Sequence, residues 1–286
     1  KESSAASDVY KRQIDYHTHH ERCGHAVGKL EEYVQRGIEL GLQQLGLSDH
    51  LPLIHVDPAS YYPEMAMPMA ELPRYVEECL TLKERYRGVI DLRVGLEADY
   101  IEGYEEQIRE VLSPYPWDYL IGSVHFLGEW DITDHRQVHG WEGKDALEVY
   151  RLYYDAVKKS ALSGLYDIIG HMDVIKRFGY GPQTPEGKAE VKALELETLK
   201  VIADSGIAME LNASGLTKPC AEMFPAEHLL QEALKLGIPL TLGSDAHDPA
   251  KLGDGLQEAR SMLWHTGFRE LAVFEGRRRT TVQFKL

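Results

Sequence analysis

Cysteine is scarce in this chain. The 286 residues include three cysteines, Cys23, Cys79 and Cys220, which are widely spaced and odd in number. This pattern does not suit a disulfide framework, and the lack of a CxxC pair argues against a thiolate zinc site. We therefore expect a protein of a reducing, cytoplasmic compartment.

Basic charge is also in short supply. The chain has 31 Lys and Arg against 46 Asp and Glu, a formal net charge of −15. Nucleic-acid binding requires a basic stripe, so we expect no nucleic-acid partner. A small anionic substrate stays compatible with this charge, because bound metal ions reverse its sign locally.

Long apolar runs are missing as well. No stretch approaches the roughly 18 uninterrupted apolar residues of a membrane-spanning helix, and no leader peptide with a small-residue cleavage site is recognisable. We expect no membrane association. The polar stretch 1–12 has no periodicity, and we interpret it as a disordered or artificial flank.

Short apolar runs alternate with amphipathic stretches over the rest of the chain. Seven runs are typical of strands: QIDYH, LQQLGLSDH, VIDLRVGLEAD, WDYLIGSVHF, YDIIGHMD, IAMELNAS and IPLTLGSDAH. Helical periodicity follows each of them, as in LEEYVQRGIELG. This alternation predicts βαβ units and, without a break in composition, one closed, barrel-like α/β domain over 13–286. A last stretch, RTTVQF, predicts a short closing strand.

Histidines and carboxylates follow these strands. Active sites of (β/α) barrels lie at the carboxyl ends of the strands, and nine ligand-type residues fall there: His17, His19, His25, His50, Glu97, His125, His171, Asp245 and His247. Their nitrogen and oxygen atoms suit zinc, iron and manganese. His17 and His19 share one strand face and can reach one ion, as can Asp245 and His247. Nine ligands exceed the roughly four that one zinc ion takes, so two or three ions are expected, with hydrolysis of a phosphoester or amide by an ion-activated hydroxide.

Three further side chains stand beside these ligands. Asp15 and Asp49 could orient ligands through hydrogen bonds. His20 would point to the other strand face, where it either supports a ligand or is solvated.

Seven motifs, each at a strand end, together resemble the polymerase-and-histidinol-phosphatase (PHP) superfamily: HTH (17–19), CGHA (23–26), SDH (48–50), GLEAD (95–99), GSVHF (122–126), GHMD (170–173) and GSDAH (243–247). The resemblance runs from Gln13 to the C-terminus. It is strongest to the monofunctional histidinol-phosphate phosphatases, through YLIGSVHFLGEWDI (119–132) and ELNASGLTKPCAEMFP (210–225). Ala213 and Thr217 depart from the family pattern, and Thr217 stands where a basic residue is common.

The resemblance implies a distorted (β/α)7 TIM-like barrel with three divalent zinc, iron or manganese ions. By position, the first ion would be bound by His17, His19, Glu97 and Asp245. Glu97 would bridge to the second ion, shared with His125 and His171, and the third would be bound by His25, His50 and His247. Glu97, Asp245 and His247 would be catalytic, and Cys23 would be a packing residue. The implied reaction is hydrolysis of L-histidinol phosphate to L-histidinol and phosphate, in histidine biosynthesis.

A phosphomonoester substrate also needs fixed cations. Lys176 and Arg177 follow the fifth strand and Lys218 follows the sixth, all on the predicted active rim. Arginine is the better fork for phosphate, so Arg177 is the first candidate. Ser214 could add a hydroxyl.

The connection 51–73 is long enough to be a lid, although a packed surface loop fits equally well. It offers Tyr61, Tyr62 and Glu64 as candidates for contacting the imidazole and amine of the substrate.

Three other functions compete with this interpretation. One is a phosphoesterase of the same superfamily acting on nucleotides or on oligonucleotide 3′ ends. Another is an amidohydrolase, which commonly has a carboxylated lysine after the fourth strand, where this chain has SVHF. The third is a non-catalytic metal-binding module, which an intact set of nine ligands disfavours.

Overall fold

A parallel sheet of seven strands forms the centre of the molecule. The computed structural model describes residues 13–57 and 63–286. Its central strands are β1 (Gln13–Asp15), β2 (Leu42–Leu47), β3 (Asp91–Asp99), β4 (Tyr119–Ser123), β7 (Ile168–Ile169), β8 (Ala208–Asn212) and β9 (Leu240–Gly243). They pair in that order, each parallel to the next. The predicted flank 1–12 lies outside the described residues, and the limits of the single predicted domain stay a prediction.

Helices connect these strands. They are α1 (Leu30–Glu39), α2 (Leu72–Arg85), α3 (Glu105–Leu112), α4 (Ala146–Leu162), α5 (Pro185–Ser205), α6 (Glu227–Leu236) and α7 (Leu256–Thr266). Their ends follow local sequence signals. In α5, the Thr184 side chain accepts a hydrogen bond from the Gly187 amide, Pro185 begins the helix, and Gly206 ends it in the left-handed conformation.

The sheet curls until its two edges meet. The Tyr16 amide, just after β1, donates to the Leu242 carbonyl of β9, and the Asp245 amide donates to the His17 carbonyl, each at 2.8 Å. These bonds join the β1 and β9 sides of the sheet. The predicted (β/α)7 barrel is thus confirmed as a seven-stranded parallel sheet nearly closed into a barrel, with helices between the strands.

A tyrosine fills part of the barrel interior. Tyr119 is fully buried, and its hydroxyl donates to the Tyr16 carbonyl at 2.6 Å. The ring lies so close to two neighbouring strands that a Cβ on Gly95 would be 2.3 Å from its Cζ, and one on Gly46 would be 2.0 Å from its hydroxyl. Glycine is therefore required at both positions by close approach of the ring.

The C-terminal segment forms more than the single closing strand that RTTVQF predicted. It is an antiparallel hairpin of β10 (Glu270–Glu275) and β11 (Arg278–Gln283), separate from the barrel sheet. The Gly276 amide donates to Asp118 at 3.1 Å, and Arg277 pairs with Asp167. Since Asp118 and Asp167 precede β4 and β7, the hairpin covers the amino ends of the strands. A second small ribbon, β5 (Phe126–Leu127) with β6 (Trp130–Asp131), follows β4.

Candidate metal centre

Glu97, at the end of β3, lies in the middle of a cluster of imidazoles. Its Oε2 is 3.0 Å from His50 Nδ1 and 3.2 Å from His17 Nε2. Its Oε1 is 2.9 Å from His171 Nε2 and 3.6 Å from His125 Nε2. Four strand ends therefore bring imidazoles to the two oxygens of one buried carboxylate, as expected where parallel strands end at a common rim.

Asp245 closes the cluster from the β9 side. Its Oδ1 is 3.1 Å from His19 Nε2 and 3.8 Å from His17 Nε2. Its φ of 55° lies in the left-handed region, which is uncommon outside glycine and frequent at functional sites. His247 Nε2, two residues on, is 3.0 Å from His25 Nε2. All nine predicted ligands thus lie in one continuous cluster.

The ligand atoms form four overlapping groups, each with its atoms within 4.8 Å of one another. The groups are His17–His19–Glu97, His17–His171–Asp245, His50–Glu97–His125 and His19–His50–His247. This division differs from the one the resemblance implied, because Asp245 groups with His171 and His19 groups with His50 and His247. His25 belongs to none of these groups and reaches the cluster through His247. The assignment of ligands to individual ions therefore stays a proposal.

Several of these atoms are buried and lack a hydrogen bond within the described part of the chain. They are His17 Nε2, both ring nitrogens of His19, Glu97 Oε2 and His171 Nδ1. Buried polar atoms without partners are rare, and those aimed at one point suit a bound ion. Their donor types, imidazole and carboxylate, are those that zinc, iron and manganese take. The residues present therefore fit a cluster of such ions.

Carboxylates behind the cluster hold the rings in place. His125 Nδ1 is 2.9 Å from Asp99 Oδ1, and His17 Nδ1 is 2.7 Å from Glu210 Oε1. Both contacts engage Nδ1 and leave Nε2 toward the cluster. The sequence interpretation gave no role to Asp99 or Glu210. For Asp99 the signal was available, since it is a carboxylate at the end of a predicted strand, whereas Glu210 lies in the middle of the predicted strand IAMELNAS.

Asp49 lies beside the ring of His19 without a hydrogen bond to it among the described residues, so its predicted orienting role stays a prediction. Its Oδ1 is 3.5 Å from His19 Nδ1, while Oδ2 contacts His20 Nδ1. His20 is buried and also contacts Arg22 at 3.0 Å, so it supports Asp49 rather than being solvated. Asp15 instead accepts from the Ser244 amide at 2.9 Å, which holds the turn before Asp245.

The cluster divides into imidazoles that bind a proton tightly and imidazoles that bind it weakly. Burial alone would lower the pKa of His17, but Glu210, Glu97 and Asp245 raise it well above its usual value. Burial is likewise outweighed at His125, whose pKa Asp99 and Glu97 raise to about 10. Burial and the neighbouring His50 and His19 lower the pKa of His25 to about 4.

A cavity of about 810 Å³ opens above the cluster. Arg177, Lys218 and Ser214 line it, together with His25, His125 and Asp245 from the cluster. The Arg177 Nε is buried without a hydrogen bond to any described residue. Burial, and then repulsion from Arg177, lowers the pKa of Lys218. Two cations thus line one cavity beside the cluster, and their mutual repulsion would be relieved by a bound anion.

Lys176 does not face this cavity, contrary to the prediction. Its ammonium is 2.8 Å from Asp173 Oδ2, 3.1 Å from Glu222 Oε2 and 2.9 Å from the Met223 carbonyl. These ion pairs and this hydrogen bond neutralise the Lys176 ammonium. We therefore remove Lys176 from the phosphate-binding candidates.

The candidates of the 51–73 connection divide. Tyr61 and Tyr62 lie outside the described residues. Glu64 lines the cavity, and its carbonyl is 2.9 Å from His25 Nδ1. Cys23 is buried and its thiol donates to the His20 carbonyl at 3.1 Å, which fits a packing role.

A seven-stranded barrel whose rim gathers imidazoles and carboxylates that could bind metal ions is typical of a class of hydrolases. Residues 15–214 match the PHP domain family, and the chain belongs to that family. Across 13–57 and 63–286, no helix is long and apolar enough to cross a membrane.

Relatives of known name cover nearly the whole chain. A probable histidinol-phosphatase of Deinococcus radiodurans is 39% identical over 87% of this chain and 93% of its own. The histidinol-phosphatase of Bacillus subtilis is 32% identical over 84% of this chain and 95% of its own. Among solved structures, histidinol phosphate phosphatase from Lactococcus lactis, complexed with zinc, L-histidinol and phosphate, is 27% identical with a TM-score of 0.79. That alignment covers 94% of this chain and 99% of the other.

Proposed function

We propose that the protein is a phosphomonoester hydrolase that converts L-histidinol phosphate to L-histidinol and phosphate. One observation carries the proposal: a buried imidazole and carboxylate cluster forms the floor of a cavity that Arg177 and Lys218 line. A cluster of this kind suits metal-assisted hydrolysis, and the two cations suit a phosphate group. The names of the Deinococcus and Bacillus relatives and the ligands of the Lactococcus structure support the substrate.

We further propose that the cluster holds three divalent transition-metal ions, zinc, iron or manganese. The residues that would hold them are the nine predicted ligands, with Glu97 shared between ions because both its oxygens face imidazoles. Such ions polarise phosphoryl oxygens and activate water for attack at neutral pH. Glu97, Asp245 and His247 are the proposed catalytic residues, since each would touch an ion next to the reacting phosphate.

The remaining residues bind and position the substrate. Arg177 offers a planar fork to two phosphate oxygens and Lys218 offers a point charge. The Ser214 hydroxyl donates to Asp245 Oδ2 at 3.1 Å, which places it between the cluster and the cavity. Asp99 holds the ring of His125 through its hydrogen bond to Nδ1, which reduces the reorganisation needed when substrate binds.

The substrate is a small molecule on this proposal, and the three unpaired cysteines agree with the predicted reducing, cytoplasmic compartment.

The test is steady-state kinetics on L-histidinol phosphate, 3′,5′-bisphosphonucleotides and simple phosphomonoesters, with metal analysis of the same preparation. We expect the highest kcat/KM for L-histidinol phosphate and about three equivalents of metal per chain. A preference for bisphosphonucleotides would favour the nucleotide phosphoesterase, and bound metal without turnover of any substrate would favour a binding module.

A further inference from the structure

One buried carboxylate connects three of the proposed ligands. Glu210 lies on β8 and is fully buried. Its Oε1 is 2.7 Å from His17 Nδ1, and its Oε2 accepts from the His171 amide at 3.1 Å. The same Oε2 accepts from Asn212 Nδ2 at 3.1 Å, and that amide also donates to Asp245 Oδ2 at 3.3 Å.

These contacts reach His17, His171 and Asp245, which together form one of the four ligand groups. These three residues follow β1, β7 and β9, so Glu210 connects the ends of three strands to its own strand, β8. We propose that Glu210 is a positioning residue that fixes the spacing of these three ligands before an ion binds. It selects Nε2 of His17 as the ligand atom because Nδ1 is occupied.

The backbone around Glu210 is shaped to admit it. A Cβ on Gly243 would lie 2.0 Å from Glu210 Oε1 and 2.5 Å from His17 Cβ. Gly243 has no positive φ, so conformational freedom does not explain the glycine. The missing side chain makes the slot that the carboxylate fills.

A carboxylate suits this slot better than an amide. Both its oxygens accept, and three donors surround it: a ring N–H, a backbone N–H and a side-chain N–H₂. A glutamine has one accepting oxygen, and its N–H₂ group would face a donor on the other side. Glu210→Gln can therefore accept from the His17 ring, or from the His171 amide and the Asn212 side chain, but not from all three. Alanine satisfies neither.

The test measures zinc affinity of the metal-free protein by competition with a chromophoric chelator. We expect Glu210→Gln to weaken zinc binding about 10-fold and Glu210→Ala about 100-fold, the range found when partners of metal ligands are lost. The matched control is Glu195→Gln. Glu195 is also a buried glutamate in contact with an imidazole, His228 Nε2 at 3.1 Å, but it lies between α5 and α6, away from the cluster.

A structural role alone would lower stability without a specific effect on the ring of His17. The second readout is therefore the ring ¹⁵N spectrum of metal-free protein, in which the Nδ1–H signal of His17 should be lost in Glu210→Ala and kept in Glu195→Gln. Unchanged zinc affinity in both Glu210 variants, or equal weakening in Glu195→Gln, would overturn the inference. The inference rests on the proposed metal centre. Because neither readout uses turnover, it is tested separately from the proposed substrate.

Discussion

At the scale of residues, neighbours in sequence have different tasks. Lys176 and Arg177 are adjacent on the short 3₁₀ helix Val174–Phe178. Lys176 is held by Asp173 and Glu222, whereas Arg177 lines the cavity. The direction of the side chain, set by the turn, decides which cation is free to bind phosphate.

This difference gives a paired prediction. Arg177→Ala should raise KM for the phosphomonoester about 10- to 100-fold with little change in stability, because a charge-assisted hydrogen bond contributes roughly 1.5–3 kcal/mol. Lys176→Met should leave KM unchanged and lower the urea midpoint, because the buried carboxylate of Asp173 loses its only cationic partner among the described residues. Kinetics and urea unfolding of both variants check it. Equal KM effects in the two would contradict the assignment.

Protonation of the cluster gives a second prediction. The pKa of His125 is about 10, so its ring is protonated at pH 8 in metal-free protein, and the raised pKa of His17 favours the protonated form of that ring as well. An ion binds the neutral ring, so zinc binding must release these protons. His25, whose pKa is about 4, is already neutral and releases none. Calorimetric titration with zinc at pH 8 should give a heat that varies with the ionisation enthalpy of the buffer. A heat independent of buffer would show that the rings are neutral beforehand.

At the scale of elements, the strands of the barrel leave room for one large ring. Tyr119 on β4 occupies the space that side chains at Gly46 on β2 and Gly95 on β3 would need. Its hydroxyl reaches Tyr16 beyond β1, so a single residue connects four strands near the cluster.

Gly95→Ala tests this packing. We expect a loss of about 1–3 kcal/mol in the free energy of unfolding, because the Tyr119 ring must move from a Cβ that would be 2.3 Å away. Urea unfolding measures the loss. In the background of Tyr119→Ala the same substitution should cost much less. An equal cost in both backgrounds would mean that the ring is not what excludes the methyl group.

At the scale of the whole molecule, the two ends of the barrel are specialised. The carboxyl ends of the strands carry the ligand cluster, and the C-terminal hairpin covers the amino ends. Phe274 of the hairpin is buried against Tyr16 and Tyr119, with ring centroids 6.1 Å and 6.4 Å away. The hairpin lies after residue 214, where the PHP family match ends. Its packing against Tyr16 and Tyr119 therefore stabilises the barrel from a part of the chain outside that match.

Phe274→Ala should therefore lower stability by about 3–5 kcal/mol while leaving kcat and zinc content close to those of the unmodified protein under native conditions. Urea unfolding, kinetics and metal analysis check this. Thr280→Ala, an exposed position of the same hairpin, serves as control and should be near neutral. A large fall in kcat at full occupancy of the folded state would show that the hairpin acts on the site.

The sequence by itself determined the barrel and brought the nine predicted ligands to one rim of it. Strand and helix periodicity is local, and the carboxyl ends of parallel strands must meet at one rim, so His17, Glu97 and Asp245 could be placed together from their positions alone. Of the C-terminal hairpin, only the second strand was predicted, from RTTVQF. The first strand, β10, and its antiparallel pairing depend on the turn after Glu275, which apolar periodicity does not reveal.

Only the tertiary structure decided which side chains meet. The role of Glu210 depends on a slot at Gly243, which lies 33 residues further along the chain on the next strand. The separation of Lys176 from Arg177 and the grouping of Asp245 with His171 depend in the same way on side-chain directions across strands. Such directions are set by packing between elements distant in sequence, and local patterns carry no information about them.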